Sequence, residues 1–496
     1  MSASETAPAA ELSGGVIRHD VEAVNAATRR KFYKAREPIY PKRVKGTFRR
    51  LKWIIMALTL GVYYITPWIR WPRGPGEPDQ AVLVDFAGRR FYFFFIEIWP
   101  DQLYFLTGLL IIAALALFLA TALFGRVWCG YSCPQTVWTD LYVWVERAIE
   151  GDRNARMKLA KAPWTFDKIR KRVTKHAVWI LIGMATGGAW MLYFHDAPSI
   201  ARDFLKGDAP FTAYFFFGLL TLTTYLFAGS MREQVCTYMC PWPRIQAALT
   251  DAETLQVTYK YDRGEPRGAH KKGDTWEGRG DCVDCKACVI SCPMGIDIRE
   301  GPQLECINCA LCIDACNDVM AKVGRPLSLI GYDTDANIAR REANEKPQMR
   351  LMRPRTVLYG AVLALVGVLM IYGLATRDTM TVNVLRDRTP PFILLSNGDV
   401  RNAYTVKIVN RANYERAFSV TIEGPEEMTI GAVGEKADGN AVTIMAPGDA
   451  VRSVRVFATL PKEIAHGNSI PVTIRIADPE TGEEAVNPTV FMAGRK

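Results

Sequence analysis

Five stretches of the chain run for about 20 residues with almost no charge, long enough to cross a hydrocarbon layer as helices. They are Lys52–Trp71, Leu103–Phe124, Ala177–Phe194, Phe211–Ala228 and Val357–Ala375. Trp, Tyr or Arg borders each run, which suits a membrane interface better than the interior of a large soluble protein. Near residue 380 the pattern changes. YTVKIVN, FSVTIEG, VRVFATL and IPVTIRIA alternate apolar and polar residues between Gly, Pro and Asn turns, which predicts short antiparallel strands in a β-sandwich. The pattern divides the chain into a disordered, basic N-terminal stretch (1–50), a four-span region (51–250), an intervening polar domain (251–350), a fifth span (351–376) and the sandwich (377–496). No apolar core of a signal peptide occurs in the opening MSASETAPAAELSGG.

Charge sharpens the topology. The 496 residues hold 61 basic and 51 acidic side chains. That excess could point to nucleic acid, but the basic residues concentrate before the first span (Arg29 to Arg50) and between the second and third (Arg147 to Lys175). The loop between spans three and four has only Arg202 and Lys206. By the positive-inside rule the basic segments and the polar domain are cytoplasmic, and a fifth span carries the sandwich to the periplasmic side. The expectation is a multi-pass protein of a bacterial inner membrane, with no nucleic acid as partner.

All 12 cysteines fall between Cys129 and Cys316. Cys282, Cys285, Cys288 and Cys292 follow C-x2-C-x2-C-x3-C with Pro293 next, and Cys306, Cys309, Cys312 and Cys316 repeat the spacing. This is the two-cluster bacterial ferredoxin run, in which the fourth cysteine of each run ligates the other cluster. It predicts one [4Fe–4S] cluster on Cys282, Cys285, Cys288 and Cys316, and a second on Cys306, Cys309, Cys312 and Cys292. Structural zinc prefers two separated pairs, and disulfides are disfavoured in a reducing compartment. Asn317 stands where a second proline is usual, without removing a ligand.

The other four cysteines form a repeat, Cys129-Gly-Tyr-Ser-Cys133-Pro134 and Cys236-Thr-Tyr-Met-Cys240-Pro241, each directly after an even-numbered span. A following proline suits the first position of a helix, which predicts Cys133 and Cys240 at helix N-termini with lowered thiol pKa values. Four thiolates together would suit a soft cation such as Cu(I), or a further metal centre; the plain alternative is inert buried cysteines. His176 and His195 lie at opposite ends of span three, a poor arrangement for haem. His466 reads as a solvated loop residue. Met184, Met191, Met231, Met239 and Met370 read as packing residues, and Gly183 and Gly187 as a close helix contact.

The chain resembles the CcoG/FixG/RdxA family of membrane-bound polyferredoxins, accessory proteins of cbb3-type cytochrome c oxidase. The residues that carry the resemblance are GRRFYFFFIEIWPDQ, CGYSCPQTVW, EQVCTYMCPWPRIQ and the double ferredoxin run. It implies an immunoglobulin-like C-terminal domain and a cupric reductase that makes Cu(I) for the oxidase's copper centre. Cys129, Cys133, Cys236 and Cys240 would be its copper-handling thiols, the eight ferredoxin cysteines its electron relay. Implied partners are copper itself, a cytoplasmic electron donor and oxidase assembly factors or a copper chaperone, with a homodimer also expected. The rival expectations are a quinol-linked electron carrier and a non-catalytic assembly scaffold.

Overall fold

The computed structural model describes residues 11–25, 37–73, 77–271, 273–377, 379–412, 414–435, 437–438 and 440–493. It divides into two units, 1–72 with 78–370, and 73–77 with 371–496.

The first unit opens with a two-stranded antiparallel ribbon, β1 (Glu11–Leu12) and β2 (Val16–Ile17). Leu12, Val16 and Ala23 are buried in one core with Val257, Ile313 and Cys316 of the ferredoxin domain. Backbone N–H groups of Ser13, His19 and Asn25 donate to the carbonyls of His270, Cys285 and Gly295. Residues 11–25 therefore belong to the ferredoxin fold, against the expectation of disorder over 1–50. Three apolar residues suffice because an existing core receives them. Residues 1–10 and 26–36 of that stretch lie outside the described residues.

Helix α1 spans Thr47–Ile65 and stops before Pro67, whose ring cannot continue it. An antiparallel meander follows: β3 (Val82–Asp85), β4 (Arg90–Phe93) and β5 (Ile96–Ile98). Helix α2 (Tyr104–Phe124) ends at Gly125, which has a positive φ of 60° and so little room that a Cβ would sit 2.7 Å from Asn308 Nδ2. Then come α3 (Val127–Tyr131), α4 (Pro134–Glu150), α5 (Arg153–Lys161), α6 (Phe166–Met191), α7 (Ala197–Lys206) and α8 (Phe211–Thr224). Two π-helical turns, Tyr225–Met231 and Val235–Met239, lead to α9 (Trp242–Leu249). Such turns are rare and concentrate at functional sites. Gly183 and Gly187 let α6 approach α8: a Cβ at Gly187 would meet the Phe217 carbonyl oxygen at 2.7 Å.

Strand β6 (Gln256–Tyr259) pairs antiparallel with β7 (Ile330–Asp333) and closes the ferredoxin domain. Between them lie α10 (Tyr261–Gly264), α11 (Ala287–Ser291) and α12 (Leu311–Lys322). Helix α13 (Asp335–Glu342) and most of α14 (Pro354–Ala375) complete the unit. Asp314 of α12 accepts hydrogen bonds from the backbone N–H of Phe48 at 3.3 Å and of Arg49 at 2.7 Å, capping the first turn of α1.

Among the described residues, three helices are long and apolar enough to cross a membrane: Pro100–Phe124, Phe211–Met231 and Pro354–Ala375. The other two expected spans are helical, as α1 and α6. Both begin with basic turns, Arg49, Arg50 and Lys52 in one and Lys168, Arg170, Lys171, Arg172 and Lys175 in the other. Their apolar portions are correspondingly shorter.

The second unit is a β-sandwich of two five-stranded antiparallel sheets. One holds β8 (Met380–Arg386), β9 (Ile393–Leu394), β10 (Val400–Asn410), β12 (Thr429–Ala432) and β15 (Ala450–Leu460); the other holds β11 (Arg416–Glu423), β13 (Ala437–Asp438), β14 (Ala441–Ala446), β16 (Ser469–Ala477) and β17 (Glu484–Met492). Alternate residues point inward, so Tyr404, Val406 and Ile408 face Phe418, Val420 and Ile474 in a shared core. His466 is exposed in a loop.

Candidate redox site

Both cysteine runs use the same backbone device. Asp284 and Lys286 have φ of 50° and 57°, and Asn308 and Ala310, at the corresponding places two and four residues after the first cysteine of each run, have 54° and 59°. Four non-glycine residues in the left-handed region cost about 1–3 kcal/mol each, a strain typical of ligand-holding loops. Each loop then enters a helix, α11 or α12, that carries further cysteines.

The fold brings the cysteines together in crossed fashion. Burial pushes the Cys316 thiol up to about 12, and its neighbouring sulfurs are Cys285 and Cys282 of the first run. Cys292 is likewise pushed to about 12 by burial, with Cys309 and Cys306 of the second run beside it. Cys312 rises well above the usual thiol range through burial, next to Cys309, Cys306 and Cys292. A small apolar cavity lies among Cys292, Cys306, Cys309 and Cys312, walled by Val257, Met294, Ile296 and Ile307. All 12 cysteines are free thiols. A dry pocket of soft donors, with Cys292, Cys306 and Cys312 disfavoured as bare anions, suits an iron–sulfur cubane whose irons compensate the thiolate charge.

The two C-x3-C pairs meet beside this cavity. Cys129 is buried in α3 and packs in one apolar cluster with Ile307, Cys309 and Met294, joined by Cys236, Cys292, Cys306 and Trp242. Burial pushes Cys236 up to about 12, and Cys133, Cys129 and Cys240 surround it. Gly130 fits because a Cβ there would lie 2.6 Å from the Ile307 carbonyl oxygen and 2.9 Å from that of Asn308. Among the described residues, no three His, Cys, Asp or Glu side chains are placed to chelate a single metal ion, these four cysteines included.

The expected lowering of the thiol pKa at a helix N-terminus does not occur at Cys133. Cys133 does cap α4, and the N–H groups of Thr136 and Gln135 favour its thiolate, but burial outweighs them and raises it. Cys129 is pushed to about 11 by burial, against the pull of Arg126. Cys240 is not at a helix start: α9 begins at Trp242 with Pro241 as its cap, leaving Cys240 exposed one residue earlier.

Spacing rules give no hint of two residues that hold this region. Cys129 Sγ donates to Gln246 Oε1 at 3.2 Å, and Arg126 Nε donates to the same oxygen at 3.2 Å. Arg126 also donates to the Leu304 carbonyl, just before Cys306. Gln246 is fully buried in α9, so a buried polar side chain in an amphipathic helix after a cysteine pair was the available signal. The minor candidates are structural. His176 Nδ1 hydrogen-bonds Tyr225 at 2.9 Å and packs edge-on to Trp179. Met370 packs over Gly108, while Met184 and Met239 are exposed.

A family model for a 4Fe-4S dicluster domain matches residues 231–335, and a 4Fe-4S binding domain matches 106–150. A model described as an IG-like fold at the C-terminal of FixG matches 370–494. The nitrogen fixation protein FixG of Rhizobium meliloti is 54% identical over 477 residues, 90% of this chain and 91% of that one. Protein RdxB of Cereibacter sphaeroides is 48% identical over 92% of this chain and 97% of its own, and protein RdxA of the same organism 48% over 93% and 99%. With that identity across both units, paired iron–sulfur loops and three helices fit for a bilayer, the chain belongs to the FixG/CcoG/RdxA family of membrane-associated iron–sulfur redox proteins.

Proposed function

We propose that the chain is a cupric reductase, passing single electrons to Cu(II) and releasing Cu(I) for the copper centre of a cbb3-type cytochrome c oxidase. Cys282, Cys285, Cys288 and Cys316 are the proposed ligands of one [4Fe–4S] cluster, Cys306, Cys309, Cys312 and Cys292 those of the other. When bound, these clusters supply one-electron carriage from a cytoplasmic donor. Cys129, Cys133, Cys236 and Cys240 receive copper as substrate. The observation that carries the reading is that Cys129 and Cys236 share an apolar cluster with Cys292, Cys306 and Cys309. Each Cu(II) takes one electron and becomes Cu(I), the ion that soft thiolates prefer. Arg126 offsets part of the burial penalty on Cys129, which eases loss of its proton as the cation arrives. Apolar neighbours cover Cys129, whereas Cys236 also borders a pocket lined by Arg232 and Glu233.

The topology that goes with this reading has five crossings of a bacterial inner membrane, α1 and α6 included. The ferredoxin domain is then cytoplasmic and the immunoglobulin-like domain periplasmic, where it meets an assembly factor or copper chaperone. The expected homodimer belongs to the same reading.

Cys129→Ser and Cys236→Ser should abolish cupric reduction while leaving the iron–sulfur EPR spectrum intact. Unchanged reduction would remove the thiols from the mechanism. A second reading, a third cluster on these four cysteines, is favoured by the 4Fe-4S binding model over 106–150, which encloses Cys129 and Cys133. Loss of iron and sulfide in the two variants would select it.

A further inference from the structure

Beside the first turn of α1 lies an open pocket that the redox reading does not use. Five cationic side chains line it, Arg43, Lys45, Arg49, Arg50 and Arg147, with Trp53 and Trp144, and no Asp or Glu is among its lining residues. The nearby carboxylates are already engaged. Asp140 accepts from Arg49 Nη1 at 2.8 Å and faces Lys52 at 3.6 Å, and Asp152 accepts from the Arg43 backbone N–H at 3.0 Å. Arg49 is nine-tenths buried, yet its Nη2 has no hydrogen-bond partner. The Arg147 Nε is likewise buried without one, its closest carboxylate oxygen being Asp152 Oδ1 at 3.9 Å. Both guanidinium groups beside this pocket therefore keep a donor without a hydrogen-bond acceptor from the protein.

The surroundings define what such a pocket would hold. Trp53 and Trp144 meet edge to face at 6.3 Å between ring centres, and the Arg49 guanidinium lies 4.6 Å over Trp53. Tryptophans of this kind mark the headgroup level of a bilayer. Below Arg50 on α1, Ile54, Leu58 and Val62 follow at four-residue steps, 57%, 64% and 66% exposed. A charged head and an apolar ridge on one helix face match a lipid, whereas a free phosphate would use the head alone. We infer that this pocket binds an anionic glycerophospholipid, its phosphate held by Arg43, Arg49, Arg50 and Arg147 and an acyl chain lying along Ile54, Leu58 and Val62.

The inference rests on α1 lying in the membrane and is independent of copper chemistry. The test uses the full chain with its iron loaded, in nanodiscs of mixed phosphatidylglycerol and phosphatidylcholine, read by native mass spectrometry of retained lipid. Preferential retention of phosphatidylglycerol is expected, weakened about fivefold for each charge removed in Lys45→Gln and Arg50→Gln. These two exposed positions leave the buried Arg49–Asp140 pair intact, and Arg50→Lys should restore retention. Equal retention of both lipids by the wild type, or undiminished preference in the double variant, would overturn the proposal. So would competition by inorganic phosphate, which would make the pocket a phosphate site. Failure of the chain to enter phosphatidylcholine nanodiscs at all would undo the reading of α1 as a span, and this inference with it.

Discussion

The two C-x3-C-P motifs are near-duplicates in sequence and unlike each other in structure. In the first, Cys129 sits in a short α-helix, Gly130 touches the cluster loop and Tyr131 is 4% exposed. In the second, Cys236 sits in a π-helical turn, Thr237 replaces the glycine, and Tyr238 is 63% exposed. The first packs against the ferredoxin domain through Cys129, Gly130 and Tyr131. The second reaches the same place with one cysteine and leaves the other at the surface. Repetition of spacing thus fixed which sulfurs become neighbours, while the packing on each side decided their conformation and exposure.

The comparison can be broken at its strongest anchor. The helix that follows Cys133 is tied to α1 by Asp140, which accepts from Arg49 through both carboxylate oxygens at 2.8 Å. Asp140→Asn should destabilise the protein by about 3–5 kcal/mol, because it strands Arg49 and Lys52 as buried charges. Thermal denaturation in detergent measures it. Burial alone would raise the Asp140 pKa, but Lys52 and Arg49 prevail and hold it below the usual carboxylate range. A depressed carboxyl stabilises fully above its unfolded pKa and loses that contribution as pH falls through the folded value. The melting temperature should therefore begin to drop below about pH 4, and Asp140→Asn should flatten that drop.

Smaller changes sharpen the contrast. Gly130→Val drives methyl groups into the Ile307 and Asn308 carbonyls and should cost about 1–3 kcal/mol, with loss of iron on purification. The matching Thr237→Val should leave iron content unchanged. An equal effect at both positions would mean the motifs are packed alike. Smallest is the tyrosine pair. Tyr131 shares a hydrogen bond with Tyr332 at 3.3 Å, and Tyr332 donates to the Asn308 carbonyl at 2.9 Å inside the second cluster loop. Tyr131→Phe should cost about 0.5–1.5 kcal/mol and shift the cluster's EPR-monitored potential. Tyr238→Phe should do neither.

Legibility in the sequence followed the range of the interactions involved. The sandwich strands and the two cysteine loops were readable, because alternation and C-x2-C spacing are local; the nearness of Cys316 to the first run is long-range and was expected only from the ferredoxin pattern as a whole. The basic starts of α1 and α6 were visible as charge, but their role as buried partners of Asp140, Glu146 and Glu150 was not. Arg126 and Gln246 escaped because nothing local links residues 120 apart. The thiol shifts were misjudged at Cys133 because helix-end electrostatics is a short-range rule and burial is a property of the finished fold.

One hydrogen-bonded cap ties these scales together. The side chain of Asp314 comes from the helix carrying Cys312 and Cys316, yet it caps the first turn of the helix that begins at Thr47. Whatever disorders the segment carrying Cys312 and Cys316 therefore also frays the start of α1. Order in the cysteine-bearing helix and order at the start of α1 are therefore coupled, and loosening either one loosens both.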